Sequence, residues 1–555
     1  MNDTAVPTPA DLLIHSAKLW SDGSYLPHSV LVAKDGAIVA LGGDELRDAY
    51  DAARVIDAGG GLVTPSFVDS HVHMTQGGIE QLRCDLTECT SAEEVYAEIK
   101  AYAAANPDAE WILGGGWRMP QFPGGKPTKE ALDELVPDRP AYLINADHHG
   151  AWANSLALEA AGITADTPDP EDGRIERDAD GNPMGTLQEG AADLVGRVLP
   201  EVTDEEIRAG QIAGEKYLFS FGVTGWQEAI LGDFLGYEDF TPMFRRLIDE
   251  GEIQGRVTGA LWVSRGFEGM TIPEFVADLE RRREEFGGRG LTINTAKIMV
   301  DGVAENETAA MEEPYLKACT CGDSGSGEGN TGLAYFSREE LLEVVPLLNE
   351  RGFNVHFHTI GDRAARYALD AVEQVPAETR AKMRNHIAHI QVVNPEDVGR
   401  FAPLNVTANM QALWASYDAQ MLDLTVPIMG DERMKWQYLF RSLEKAGTTL
   451  ACGSDWPVST PDPWQAIHVA VNRRTPGVTD LPQLLPEEAL SLESMLTAYT
   501  RGSHELIGIP GGVLEVGEAC DLAIADRDPF TADPADIYRT TNVATVLAGE
   551  VVYEA

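Results

Sequence analysis

Residues 62–73 read Leu62-Val63-Thr64-Pro65-Ser66-Phe67-Val68-Asp69-Ser70-His71-Val72-His73. An apolar, β-rich run ends here in two histidines separated by one residue. Positions i and i+2 of a strand project to the same face. His71 and His73 can therefore point together from a strand end and grip one cation. The pair alone is equally consistent with two packed histidines, so the rest of the chain has to decide.

Seven more apolar, β-rich runs follow: Gly222 to Ala229, Arg256 to Val263, Leu291 to Asp301, Phe353 to His358, Asn385 to Val393, Asn405 to Gln411 and Thr448 to Asp455. Helical stretches separate most of them. Asp362 to Val375 is the clearest, with Asp362 as a candidate cap and Ala365, Leu369 and Val372 at helical spacing. Alternating strand–helix steps of this number predict an α/β fold, a (β/α)8 TIM-like barrel over residues 65–507.

Two regions fall outside that pattern. Asp11 to Val63 and Gly512 to Glu554 read as short strands and turns. Two β-rich ends of one chain predict a small β-sandwich domain built from residues 1–64 and 508–555. The stretch 74–201, between the first and second strands, is far longer than an ordinary βα loop. It sits where barrels build their active sites, so it is expected to form an insertion or lid subdomain. Cys319 to Thr331 (CTCGDSGSGEGNT) is Gly/Ser-rich and reads as a mobile loop.

The bulk composition narrows the function class. With 44% hydrophobic and 24% charged residues over 555 positions, a packed globular protein is expected. The formal net charge of −47 argues against nucleic acid or an anionic membrane as partner, because both would be repelled. It fits a salt-rich cytoplasm and an acidic proteome equally. No apolar run reaches the roughly 18 residues needed to span a bilayer. Met1 to Ala10 shows no basic segment followed by an apolar one, as a secretory signal would. Six cysteines (Cys84, Cys89, Cys319, Cys321, Cys452, Cys520) are too few and scattered for a disulfide framework, so a cytoplasmic location is expected. Cys319 and Cys321 lack nearby histidines and are not expected to hold structural zinc.

Four further features bear on the His71/His73 pair. His358 ends the fifth strand, His389 lies in the sixth, Asp455 follows the eighth, and Lys297 sits inside the apolar fourth. A lysine in an apolar strand is costly unless partnered or modified. Four histidines, one aspartate and one lysine thus gather at the C-terminal ends of strands one, four, five, six and eight, the face where barrel catalysis is found.

At this point the sequence resembles the amidohydrolase superfamily, in its amidohydrolase-3 or YtcJ-like branch, which includes N-substituted formamide deformylase. The resemblance is carried by PSFVDSHVH (65–73), PDRPAYLINADHHGAWANSLAL (137–158), GRIERDADGNPMGTLQEGA (173–191), KIMVDG (297–302), HFHTIGDRA (356–364), GSDWPV (453–458) and GVLEVGEACDLAIAD (512–526). It implies a metal-dependent hydrolase holding two divalent ions, expected to be Zn2+. His71 and His73 would bind the first ion, His358 and His389 the second. Lys297 would bridge both as a CO2-derived carbamate. Asp455 would ligate the first ion and carry the proton. The sequence departs from the family pattern at Ser66 (usually glycine), Ala388 (often glutamate) and Ala412 (commonly proline). None of these removes an implied ligand, though the Ala388 change touches a partner of one.

The remaining polar residues carry weaker expectations. His149, Trp152, Glu189 and Trp414 are candidate substrate contacts, and Trp226 could also shape an apolar pocket. His356 lies on the same face as His358 but one layer deeper, and is read as a supporting histidine. His386 has opposite strand parity to His389 and is left outside the ligand set. The expected reaction is cleavage of a non-peptide C–N bond in a small amide by metal-activated water. Alternatives are a carbamate, lactone, cyclic imide or ester at the same site, a single-ion enzyme, or a non-catalytic barrel kept for binding. The expected partner is a small-molecule substrate, with a homodimer as a fold-level expectation.

Overall fold

The structure, a computed structural model, describes residues 7–170, 172–234, 237–316 and 329–555. Its centre is one eight-stranded parallel sheet. The strands are β1 (Phe67–Val72), β2 (Val223–Leu231), β3 (Arg256–Trp262), β4 (Leu291–Met299), β5 (Asn354–Thr359), β6 (His386–His389), β7 (Thr407–Met410) and β8 (Leu450–Cys452). Each pairs with its neighbours in chain order. The first and last strands then meet. Ser70 Oγ donates to the Cys452 carbonyl at 2.7 Å, and the Asp455 N–H donates to the His71 carbonyl at 2.8 Å. The sheet thus closes into the (β/α)8 barrel.

These strands are buried on both faces, which is why they read as nearly unbroken apolar runs. Helices cover the outside, among them Asp204–Ser220, Ile272–Phe286, Arg338–Glu350 and Asp362–Glu373. Ser337 caps the third of these and Glu340 returns the bond to the Ser337 N–H, a reciprocal arrangement that contributes about 1 kcal/mol. The helix expected from Asp362 does begin there, and Ala365, Leu369 and Val372 face the core. Its cap, however, is Gly361. Asp362 already lies inside the helix, and its carboxylate accepts from the Glu312 N–H at 3.0 Å.

The opening run 62–73 divides into two strands. Leu62–Pro65 pairs with strands of the terminal sheet, and only Phe67–Val72 enters the barrel. The change falls at Ser66, whose N–H donates to Asp521 of the terminal sheet, while the next N–H, of Phe67, donates to Gly222 beside β2.

Both termini build the neighbouring sheets. One has four strands, all from the N-terminal segment, with Thr8–His15 between Val30–Lys34 and Tyr50–Asp57. The other has six, joining Leu62–Pro65, Lys18–Ser21 and Ser24–Tyr25 to Leu522–Ala525, Asn542–Leu547 and Glu550–Glu554. Leu12, Ile14, Leu31 and Ile38 from the first sheet pack on Val63, Leu522, Ile524 and Val546 from the second. Arg256 of β3 ties this layer to the barrel through an ion pair with the buried Asp521.

Between β1 and β2 the chain makes another six-stranded sheet, with Gly150–Ala153 and Ala141–Asn145 at its middle. Trp117, Phe122, Leu143 and Trp152 form its own core. Its two stems, helices Met74–Gln81 and Asp204–Ser220, lie against each other. A Cβ on Gly78 would stand 1.9 Å from the Gly210 carbonyl oxygen, so this crossing requires glycine.

Among the described residues no helix is long and apolar enough to cross a membrane. Cys84, Cys89, Cys452 and Cys520 are free thiols. Cys319 and Cys321, with most of the Gly/Ser-rich stretch around them, lie outside the described residues.

Candidate active site

At the C-terminal rim of the barrel, β1 presents His71 with His73 just beyond it, β4 presents Lys297, β5 His358 and β6 His389, and Asp455 follows β8. The structure brings all six together. Asp455 Oδ1 lies 3.0 Å from His71 Nε2 and 3.2 Å from His73 Nε2, and Asp455 Oδ2 lies 4.0 Å from His389 Nδ1. Lys297 Nζ is 3.5 Å from His71 Nε2. The rings of His358 and His389 are 4.4 Å apart, those of His71 and His389 4.8 Å.

Two of these residues depend on unusual backbone. Asp455 has φ 58° and His389 φ 71°, both in the left-handed region. For a non-glycine residue this costs about 1–3 kcal/mol and has to be held by its surroundings. Asp455 is held by its N–H to His71, and His389 by its N–H to Gln411 Oε1 at 2.6 Å. The turn at His389 also breaks strand alternation. His386 and His389, expected on opposite faces, both point into the barrel, with His386 in the layer below. Its ring lies 4.3 Å from that of His356.

Burial sets the charge states. It holds all four rim histidines below the ordinary imidazole value, His71 to about 3. Neutral rings keep a nitrogen lone pair free for a cation. Burial likewise lowers Lys297 from an ordinary 10.5 to about 7. Burial would raise the Asp455 carboxyl, but hydrogen bonds and charge interactions with His71 and His73 hold it well below the usual range.

The donor set fits a divalent cation. His71, His73 and Asp455 each offer a ligand atom, all within 4.8 Å of one another. Among the described residues, His358 Nδ1 and both ring nitrogens of His389 are buried without a hydrogen-bond partner. Leaving such atoms unpaired costs about 1–3 kcal/mol each, unless a ligand takes their lone pairs.

A cavity opens above these residues. Trp414 forms part of its wall and lies flat on His389, with ring centroids 5.2 Å apart and 5° between planes. The insertion supplies Arg118, Asp147, His148 and His149. His149 Nδ1 bonds Glu189 Oε2 at 2.9 Å, and Thr308 Oγ1 donates to Glu189 Oε1 at 2.7 Å. Burial opposes charge on His149, but the Glu189 carboxylate raises it to about 9. His148 has a matching partner in Glu80 at 3.0 Å.

Two expected pocket residues lie elsewhere. Trp152 is buried in the insertion's core, its Nε1–H donating to the Thr128 carbonyl at 2.9 Å. It faces Trp117 and Phe122 because its strand alternates toward that layer. Trp226 is fully buried against Gly255, outside the barrel lumen. Conversely, Arg118, Asp147, Glu305 and Asp418 line the cavity without any signal of their own in the sequence.

Residues 54–553 match the model of the amidohydrolase family. The chain is 29% identical over 527 residues to the YtcJ protein of Bacillus subtilis (strain 168), covering 94% of this chain and 95% of that one. It is 26% identical over 567 residues to the N-substituted formamide deformylase of Arthrobacter pascens, covering 98% of both. Among solved structures, an uncharacterised metal-dependent hydrolase from Pyrococcus horikoshii OT3 superposes with a TM-score of 0.71 at 25% identity, over 94% of this chain and 99% of its own. The match runs from residue 54 through the insertion and every strand that carries the rim residues, and the chain belongs to the amidohydrolase family.

Proposed function

We propose that this chain is a metal-dependent hydrolase cleaving the C–N bond of a small amide of the N-substituted formamide type. One observation carries the reading: metal-ligating side chains from five strand ends converge on one point, with buried ring nitrogens of His358 and His389 left unpaired among the described residues. A relative whose likeness spans nearly the whole chain is named for acting on an N-substituted formamide.

His71, His73 and Asp455 would hold one ion and His358 and His389 a second. Burial disfavours the ammonium form of Lys297, leaving more of the neutral amine that takes up CO2, and as a carbamate it would help hold both ions. When bound, such ions polarise a carbonyl and lower the pKa of water to about 7. Asp455 takes a proton from the attacking water as the carbonyl carbon becomes tetrahedral. It then gives that proton to the leaving nitrogen, which departs as an amine. His149, backed by Glu189, faces the same space and would donate to the carbonyl oxygen as negative charge gathers there. Trp414 and the insertion shield the reacting carbon from bulk water.

The test joins elemental analysis to a substrate panel. Protein purified without chelator should carry about two zinc-class ions per chain. It should release formate from N-substituted formamides, lose activity with chelator and regain it with zinc. Full activity in metal-free protein would end the reading.

A further inference from the structure

Below the six rim residues lies a second layer of buried polar side chains that the reaction above leaves unused: Gln227 on β2, His356 on β5 and His386 on β6. His356 Nε2 is 2.9 Å from His71 Nδ1, and His356 Nδ1 is 2.7 Å from Gln227 Oε1. His386 Nε2 is 3.1 Å from that same oxygen, and His386 Nδ1 is 2.9 Å from the Arg384 carbonyl oxygen.

A neutral imidazole has one N–H and one lone pair, so the direction of every bond along the row is set at one end. With its oxygen toward His356, Gln227 can only accept. His356 then carries its hydrogen on Nδ1, and its Nε2 accepts from the Nδ1–H of His71. That leaves the His71 Nε2 lone pair facing Asp455 and Lys297. Turning the amide puts its N–H toward His356 and reverses the row. His71 Nε2 then carries a hydrogen, aimed at Asp455 Oδ1 3.0 Å away. In that state the nitrogen cannot ligate a metal.

Local hydrogen bonding in the rest of the layer does not favour the metal-ready direction. Gln227 Nε2 is buried with no partner among the described residues when the oxygen faces His356. His386 then faces two acceptors with a single N–H. The turned amide would give both groups partners, at the cost of moving its own oxygen into the unpartnered position. Something other than local hydrogen bonding must therefore reward the metal-ready direction, and a cation on His71 Nε2 does so.

We infer that Gln227 is a positioning residue for metal capture. Through His356, its amide oxygen holds His71 in the tautomer whose Nε2 lone pair faces the metal, and the turned amide is the alternative state of the metal-free protein. This rests on the metal reading above.

The test measures zinc affinity of the full chain by chelator competition for wild type, Gln227→Glu and Gln227→Met. Glutamate keeps an acceptor toward His356 whichever way it turns, so Gln227→Glu should bind zinc at least as tightly as wild type. Methionine fills similar volume with no strong acceptor and should bind about 10- to 100-fold more weakly, the usual loss when a ligand's supporting partner is removed. Equal weakening in both variants would mean that Gln227 only packs, and unchanged affinity in Gln227→Met would overturn the proposal outright. Should Gln227→Met fail to fold, long-range 1H–15N spectra of histidine-labelled wild type decide. The zinc-loaded protein should show His71 and His356 both protonated at Nδ1, and protonation of His356 at Nε2 refutes the inference. Wild type that binds no zinc would instead bring down the metal reading itself.

Discussion

Replacing Lys297 with methionine should make the metal-free protein more stable while destroying its activity. Lys297 is buried, and its ammonium form is disfavoured from an ordinary 10.5 down to about 7. At about 1.4 kcal/mol per tenfold change in the proton equilibrium, burying this amine costs the folded state about 5 kcal/mol at or below pH 7. Methionine has a similar length and no charge to desolvate. The sign follows from proton counts. Between pH 7 and 10.5 the unfolded chain holds a proton on Lys297 that the folded chain has lost. Wild-type stability from this group therefore rises with pH across that window. The advantage of Lys297→Met should be greatest near pH 7, fall to about 2 kcal/mol at pH 9, and vanish above about 10.5. Unfolding entropy of about 2.1 cal/mol/K per residue turns the pH 7 value into a rise of about 4 °C in Tm. The assay is a thermal melt of chelator-treated wild type and variant in CO2-free buffer, at pH 7 and 9. Groups away from Lys297 titrate alike in both proteins and cancel in the difference, and the neighbouring histidines are held neutral chiefly by burial across this range. A variant no more stable than wild type at pH 7, or an advantage that does not shrink at pH 9, would refute the reasoning.

Other perturbations separate chemistry from architecture. Asp455→Asn keeps one oxygen to ligate but cannot take a proton, so kcat should drop at least about 100-fold while elemental analysis finds the metal largely retained. Glu189→Gln removes the charge that raises His149 to about 9, so the alkaline limb of the pH–rate profile should move to lower pH. Trp152→Ala should lower stability by about 3–5 kcal/mol, as large-to-small changes in a core do. It should leave KM close to wild type, because Trp152 lies in the insertion core behind the cavity wall.

Much of this was legible before any coordinates. The barrel follows from alternating apolar runs and helical periodicity, and the rim follows from where polar residues interrupt those runs at strand ends. His71 and His73 obey simple strand parity, so their meeting was readable. His389 did not obey it. The left-handed turn at that residue is fixed by Gln411, just past the end of β7, which no local pattern announces. Trp152 shows a further limit. Its strand belongs to a sheet with two covered faces, and a short apolar run does not say which face meets the cavity. Gln227 was invisible for a related reason. Its role exists only once the register of β2, β5 and β6 brings one amide between two histidines.

The crossing of Gly78 and Gly210 has a practical reach beyond packing. Roughly the first 130 residues after β1 leave the barrel and come back through two helices whose backbones touch there. Everything that the insertion adds to the cavity wall, from Arg118 to His149, thus hangs from a narrow neck. The rim residues all lie on the barrel side of that neck. The chain in this sense has two parts joined at the neck, a barrel that carries the six rim residues and an insertion that carries Arg118, Asp147, His148 and His149 of the cavity wall. A graft cut at the neck has only a short gap to close. A new insertion would inherit the rim intact, provided that its own stems keep a glycine where the helices cross.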